Sequence, residues 1–199
     1  MPIQRIQKRS QVRRRWRKLS NMEFALVILI MVLIVLCVVS VFITAVTLTI
    51  FSGAPWVPTK KPMTRALCEL GDIQPGDRVM DLGCGDASML LVAAKEYGAI
   101  CTGIELNHVL VWLARFRAKL EGVSDKVTIV QGNIFKVDLP DTDVVVLYLL
   151  PRAMQKIEQR LRERYPHVQV LSHDFKLEGG ASAVKEKSVG RGTARLYRW

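Results

Sequence analysis

The sequence predicts an α/β fold: a Rossmann-like, seven-stranded sheet flanked by helices, with an N-terminal transmembrane helix before it. Three observations predict it. Residues 78–86, Arg-Val-Met-Asp-Leu-Gly-Cys-Gly-Asp, join an apolar strand to a helix through a glycine turn. Residues 63–199 alternate strand-like and helix-like segments and close with two strands around a Gly-rich turn. Residues 24–51 are an unbroken apolar run without charge, proline or glycine.

The chain opens on a basic arm, residues 1–23. Arg5, Lys8, Arg9, Arg13, Arg14, Arg15, Arg17 and Lys18 stand there against one acid, Glu23, so the arm supplies +7 of the chain's net +11. The charge is therefore local. A juxtamembrane basic cluster acts as an orientation signal and an anionic-lipid contact, and nucleic-acid binding does not follow from it. An Arg-rich, acid-poor N-terminus also fits a mitochondrial presequence.

The apolar run, Phe24 to Phe51, would span about 42 Å as a helix against about 30 Å of bilayer hydrocarbon. It is too long for a signal-peptide core, and no Ala-x-Ala site follows it. A helix buried in a soluble core rarely lacks a polar face altogether. The run therefore reads as a single membrane span. Residues 52–62, with Gly53, Pro55, Pro58 and Pro62, read as a linker, and residues 63–199 as one soluble domain of ordinary size.

Met63, Ala66, Leu67 and Leu70 form a helical stripe ended by Gly71. The first strand is 78–82, followed by a helix over 87–97 closed by Gly98. The second strand is 99–105. A helix follows from Asn107, a natural N-cap, to Glu121, before Gly122. Strands are expected at 126–131 and, as an apolar run buried on both faces, at 143–149. Pro151 starts a helix reaching Arg164. Its stripe Ala153, Met154, Ile157 and Leu161 faces inward, leaving Arg152, Lys156, Arg160 and Arg164 as a basic outer face, either a docking surface for membrane substrates or a solvated charged face. A strand at 168–172 and a hairpin of 183–188 with 193–198 complete a mostly parallel sheet with one antiparallel edge.

Cys37, Cys68, Cys84 and Cys101 form no Cys-x-x-Cys pair, and His108, His167 and His173 are scattered, so neither structural zinc nor a disulfide framework is expected. Cys84 sits where the turn needs a small residue and reads as packing. No metal is called for.

In such sheets ligands bind beyond the carboxyl ends of the strands. The candidates all fall at that rim. Asp81, Gly83, Gly85 and Asp86 surround the first turn, Glu105 ends the second strand, and Asn133 follows the third. Tyr148 and Pro151 end the fourth, and His173 and Asp174 follow the fifth. An acid about 20 residues past a glycine turn can accept from both hydroxyls of a ribose. The dinucleotide fingerprint would need a third glycine to admit a pyrophosphate. Here Asp86-Ala87-Ser88 stands instead.

Asp-Leu-Gly-Cys-Gly-Asp with Glu105 resembles motif I of class I S-adenosylmethionine (SAM) methyltransferases. The resemblance implies that residues 60–199 form their seven-stranded domain, with SAM as cofactor. It assigns Asp81, Gly83, Gly85, Asp86, Glu105 and Asn133 to cofactor binding and leaves Tyr148, His173 and Asp174 as catalytic candidates. Gly53-Ala54-Pro55-Trp56-Val57-Pro58-Thr59 before the first helix, and Glu105-Leu106-Asn107, are similar to a narrower family. These are membrane-anchored mitochondrial protein-lysine methyltransferases of the adenine nucleotide translocase and the ATP synthase c-subunit, with prokaryotic relatives. That family usually has Gly-Arg where this chain has Ala87-Ser88.

The resemblance implies a membrane-anchored lysine methyltransferase acting on a membrane or membrane-associated protein. A nucleic-acid methyltransferase is the weaker alternative and no nucleic-acid partner is expected, because the Asn-Pro-Pro-Tyr type motif of base methylation is absent and the fourth strand ends Leu147-Tyr148-Leu149-Leu150-Pro151. Val57, Pro58 and Thr59 would form a lid over the cofactor. The alternatives are a small-molecule or phospholipid N-methyltransferase and a SAM-binding protein without turnover. Positive-inside logic would put the arm in the cytoplasm and the domain outside. SAM is kept inside cells, so the domain is expected on the SAM-containing side, cytoplasm or matrix.

Overall fold

The structure, a computed structural model, describes residues 23–44, 57–177, 179 and 182–199. The basic arm up to residue 22, the apolar residues 45–51 and the linker residues 52–56 lie outside the described residues. The chain divides into two compact units, Met1–Leu48 and Thr49–Trp199.

In the first unit the described residues form one helix, α1 (Glu23–Thr44), of 22 residues. Its apolar side chains are exposed on every side. By length and composition it can cross a membrane, since 22 residues rise about 33 Å. The Thr44 hydroxyl donates to the Ser40 carbonyl at 2.8 Å, which satisfies a polar group within the helix itself.

The second unit is built from α2 (Lys61–Leu70), β1 (Arg78–Leu82), α3 (Ser88–Glu96), β2 (Ile100–Glu105), α4 (His108–Leu120), β3 (Val127–Gln131), β4 (Val144–Leu147), α5 (Pro151–Arg164), β5 (Gln169–His173), β6 (Lys185–Val189) and β7 (Gly192–Arg198). The seven strands lie in the order β3-β2-β1-β4-β5-β7-β6. β1 to β5 run parallel, and β7 is antiparallel to both β5 and β6. The chain steps outward through β1, β2 and β3, then returns to lay β4 beside β1. That reversal opens a crevice at the carboxyl ends of β1 and β4, where a loop cannot cover both sides.

The central strands are buried on both faces, and their side chains alternate between two cores. Val79, Val144 and Val146 join the cluster with α2, α3 and α4. Met80, Leu82, Val145 and Leu147 join the one with α5, whose Met154, Ile157 and Leu161 are fully buried as the helical stripe predicts. The two arrangements make a three-layer α/β/α sandwich.

Element boundaries move for local reasons. α2 starts at Lys61 because Pro62 suits its first turn, and the Lys60 carbonyl accepts from Met63 and Thr64 N–H. β4 is shorter than the apolar run 143–149. Its ladder ends where β1 ends, with Leu147 opposite Leu82 and Ser172, and Tyr148 and Leu149 beyond it line the crevice. Asn107 caps α4 as expected, its side-chain oxygen accepting from Val109 N–H at 2.9 Å.

Candidate active site

The crevice is organised by the turn after β1. Gly83 and Gly85 have φ of +84° and +54°, a region that a Cβ disfavours. Gly83 and Cys84 N–H both donate to the Ile104 carbonyl, at 2.8 and 3.2 Å, which pins the turn to β2. Glu105 holds it from the other side. Its Oε2 accepts from Gly85 N–H at 3.0 Å and its Oε1 from Asn107 N–H at 2.8 Å. Each carboxylate oxygen has two lone pairs, so Glu105 keeps capacity for a ligand's hydroxyls.

Asp81 is 7% exposed, and no donor among the described residues reaches its carboxylate. Burial, with Glu105 and then Asp86 adding repulsion, pushes its pKa up to about 7. An unpartnered buried acid in a cleft calls for a cation. The described lining contains Asp81, Asp86 and Glu105 but no lysine or arginine. Such a site disfavours a pyrophosphate and favours a ligand carrying positive charge.

Asp86 lines the same cleft, yet its carboxylate is already engaged. Oδ1 accepts from Ser88 N–H at 3.2 Å and from Ser88 Oγ at 2.8 Å, and Oδ2 pairs with Arg117 of α4. Arg117 Nη1 also donates to the Asp86 carbonyl at 2.9 Å. Asp86 thus serves first to hold the α3 start. Ala87, buried, sits at φ +62° in the left-handed region. The third glycine that the sequence lacks has a conformational counterpart: alanine is held where glycine would be relaxed, at a cost of order 1 kcal/mol.

Of the other candidates, Asn133, Tyr148 and His173 line the cleft; Asp174 and Pro151 do not. Asn133 Oδ1 accepts from Phe135 N–H at 2.9 Å, so its oxygen holds the loop after β3. Tyr148 stacks on His173 with ring centroids 3.9 Å apart. Burial lowers the His173 pKa against the opposing pull of Asp174, which keeps the imidazole neutral at neutral pH, and its buried Nδ1 has no partner. Asp174 instead locks the sheet edge, its Oδ1 accepting from Thr193 N–H at 2.8 Å. Val57 and Thr59 line the cleft, where the expected lid would lie. Cys84 is buried and its thiol pKa is raised well above the ordinary value, first by burial, so it stays protonated and acts as packing.

Three contributors carry no sequence signal. Gly103 of β2 leaves the room that Cys84 and Leu90 fill, since a Cβ there would lie 2.6 Å from Cys84 Sγ and 2.7 Å from Leu90 Cδ1. Arg117 reaches back 31 residues to the turn. Arg160 corrects the expected basic docking face: its guanidinium donates to the Ile134 and Val137 carbonyls and braces the loop that carries Asn133. Arg164 is likewise paired, with Asp141 at 3.0 Å.

A family model for the ANTKMT methyltransferase domain matches residues 81–183, from the first acid of the cleft past Asp174. The chain belongs to the ANTKMT methyltransferase family. It is 33% identical over 127 residues to a protein-lysine N-methyltransferase of Saccharolobus islandicus, covering 63% of this chain and 79% of that protein. It is 33% identical over 108 residues to the lysine N-methyltransferase of the ATP synthase c-subunit from Xenopus laevis, covering 54% of this chain. The chain spans only 47% of the length of that Xenopus protein. Among solved structures, an RNA methyltransferase of Salinibacter ruber in complex with S-adenosyl-L-homocysteine shares 37% identity at a TM-score of 0.69, over 71% of this chain and 93% of that one. The fold is therefore the seven-stranded class I methyltransferase fold, and the cofactor of this methyltransferase domain is SAM. The residues present fit it. The unpartnered Asp81 suits a cationic amino group, Glu105 suits ribose hydroxyls, and the glycine turn leaves backbone open to close approach.

Proposed function

We propose that this chain is a membrane-anchored methyltransferase that transfers a methyl group from SAM to the amine of a protein lysine. The observation that carries it is the acidic, cation-seeking cleft around Asp81 and Glu105, taken with relatives that are named for lysine methylation. α1 supplies the anchor, and the domain faces the compartment that contains SAM.

When bound, SAM supplies a methyl group already activated by its sulfonium. Asp81 would hold the amino group, Glu105 the ribose, and Asn133 the adenine side. Val57 and Thr59 would close over the cofactor and exclude water. The remaining requirement is a neutral amine aligned with the methyl carbon. Tyr148, fixed by its stack on His173, offers an aromatic wall for the lysine, and ring faces attract an ammonium group as it arrives. The amine would give its proton to solvent water before the cleft closes, since burial disfavours a charged ammonium while the acidic lining retains it.

A second reading, RNA as acceptor, is favoured by the name of the Salinibacter ruber structure. Native membranes incubated with the full-length protein and methyl-labelled SAM separate these readings. Label is expected on lysines of membrane proteins and should survive nuclease. Label found only in RNA or only in extracted lipid overturns lysine as the acceptor.

A further inference from the structure

α4 packs Val111, Ala114 and Ala118 into the core, but its opposite face is apolar too. Val109, Trp112, Phe116 and Leu120 are 71%, 65%, 45% and 70% exposed. Their spacing puts them on one face of the helix. Trp112 and Phe116 lie with ring centroids 5.4 Å apart and planes 2° from parallel, covering one another. No charge interrupts the stripe; Lys119 borders it, while Arg115 beside it donates to the Ile129 carbonyl at 3.2 and 2.7 Å. The α4 N-terminus lies at the cleft: Leu106, just before α4, and Leu110, next to Val109, both line the site. A contiguous exposed apolar patch of this kind marks an interaction surface.

We infer that the outer face of α4 rests in the lipid interface and brings the mouth of the methyl-transfer cleft to the bilayer surface. The inference rests on the anchoring reading of α1. Trp, Phe, Leu and Val on one side with Lys119 at the border is the composition of a helix lying in the interface, where rings sit at headgroup level and a cation meets phosphate. The chain itself argues for a bilayer over a protein partner. Thr44 is the last described residue of α1, and Val57, 13 residues on, lines the cleft. That is about 45 Å of fully extended chain, so the domain works within reach of whatever α1 inserts into. A cleft opening at the headgroups selects acceptor amines at that depth: lysines at the ends of membrane-spanning segments rather than those of distant soluble domains.

The test uses nitroxide labels in the full-length protein with Cys37→Ser, in vesicles of phosphatidylcholine and phosphatidylglycerol. Val109→Cys, Trp112→Cys, Phe116→Cys and Leu120→Cys are labelled one at a time, with Ile34→Cys in α1 and Gln155→Cys on α5 as references. Collisions with oxygen report lipid, and collisions with a water-soluble nickel chelate report solvent. The stripe labels are expected to favour oxygen, as Ile34 does, while Gln155 favours nickel. Lipid at Ile34 with solvent at the stripe overturns this inference alone. Solvent at Ile34 overturns the anchoring reading and this inference with it. Stripe labels shielded from both reagents, equally in detergent and in vesicles, assign the face to a protein partner instead. Should the labelled chains misfold, quenching by brominated lipid of the fluorescence that Trp112→Phe removes reads the same depth with the native side chain. An absence of such quenching overturns the inference.

Discussion

Glu105 accepts a hydrogen bond from the Gly85 N–H at 3.0 Å, so the acid that ends β2 also holds the glycine turn that ends β1. The same carboxylate caps Asn107 N–H at 2.8 Å and thereby the entry to α4. One side chain in the cleft therefore ties together two backbone segments, so a change there is expected to act on binding and on stability together.

Glu105→Ala should weaken SAM binding by about tenfold or more, because charge-assisted contacts to the ribose are lost. It should also lower stability by about 1–3 kcal/mol, because two backbone N–H groups lose their acceptor. Calorimetry and urea unfolding read the two effects separately. Unchanged SAM affinity would remove Glu105 from the site.

Asp81 predicts a pH dependence of definite sign. Its folded pKa is raised from 3.8 to about 7 by burial and by Glu105 and Asp86. The protonated acid therefore contributes stability that is fully present below the unfolded value and is lost as pH rises through the folded one. Ligand-free protein should lose stability between pH about 4 and about 7, and Asp81→Asn should flatten that slope. A cationic ligand prefers the ionised acid, so SAM affinity should rise about tenfold from pH 6 to pH 8 in the native protein and not in Asp81→Asn. Identical profiles for the two proteins would contradict the assignment.

Gly103→Ala tests the packing beneath the turn. A methyl group there meets Cys84 Sγ, Leu90 Cδ1 and Ile129 Cδ1 inside 3 Å. Overpacking of this kind costs about 1–3 kcal/mol. Thermal unfolding should show the loss, and SAM affinity should fall with it because Cys84 is displaced. A variant as stable as the parent would mean that the core relaxes around the methyl.

Arg160 and Arg164 should respond differently to charge reversal. Arg160→Glu strips the Ile134 and Val137 carbonyls of their donor, and uncompensated acceptors cost about 1–3 kcal/mol each. It should lower both stability and SAM affinity, since Ile134 lines the cleft. Arg164→Glu breaks an exposed pair with Asp141 and should cost less than about 1 kcal/mol. Equal urea midpoints for the two variants would show that Arg160 does not brace the loop.

The order of elements, the parallel sheet with its antiparallel edge, and the rim carrying Asp81, Glu105, Asn133, Tyr148 and His173 are all legible in the sequence. Strand and helix periodicity, glycine punctuation and the Asn107 cap are local signals, and strand ends in an open parallel sheet converge on one side by topology alone. α1 is equally legible, since its apolar run needs only composition to be seen. What required the tertiary structure is the bonding among groups far apart in the chain. Arg117 engages Asp86 across 31 residues and Arg160 reaches Ile134 across 26, so an acid expected to face the cofactor is tied to the turn, and a base expected to face solvent is a brace. Asp174 likewise left the cleft for the sheet edge once Thr193 was brought opposite it. Sequence spacing locates a side chain on an element; whether its charge is free or spent depends on which donor or acceptor the packing of other elements brings within hydrogen-bond distance.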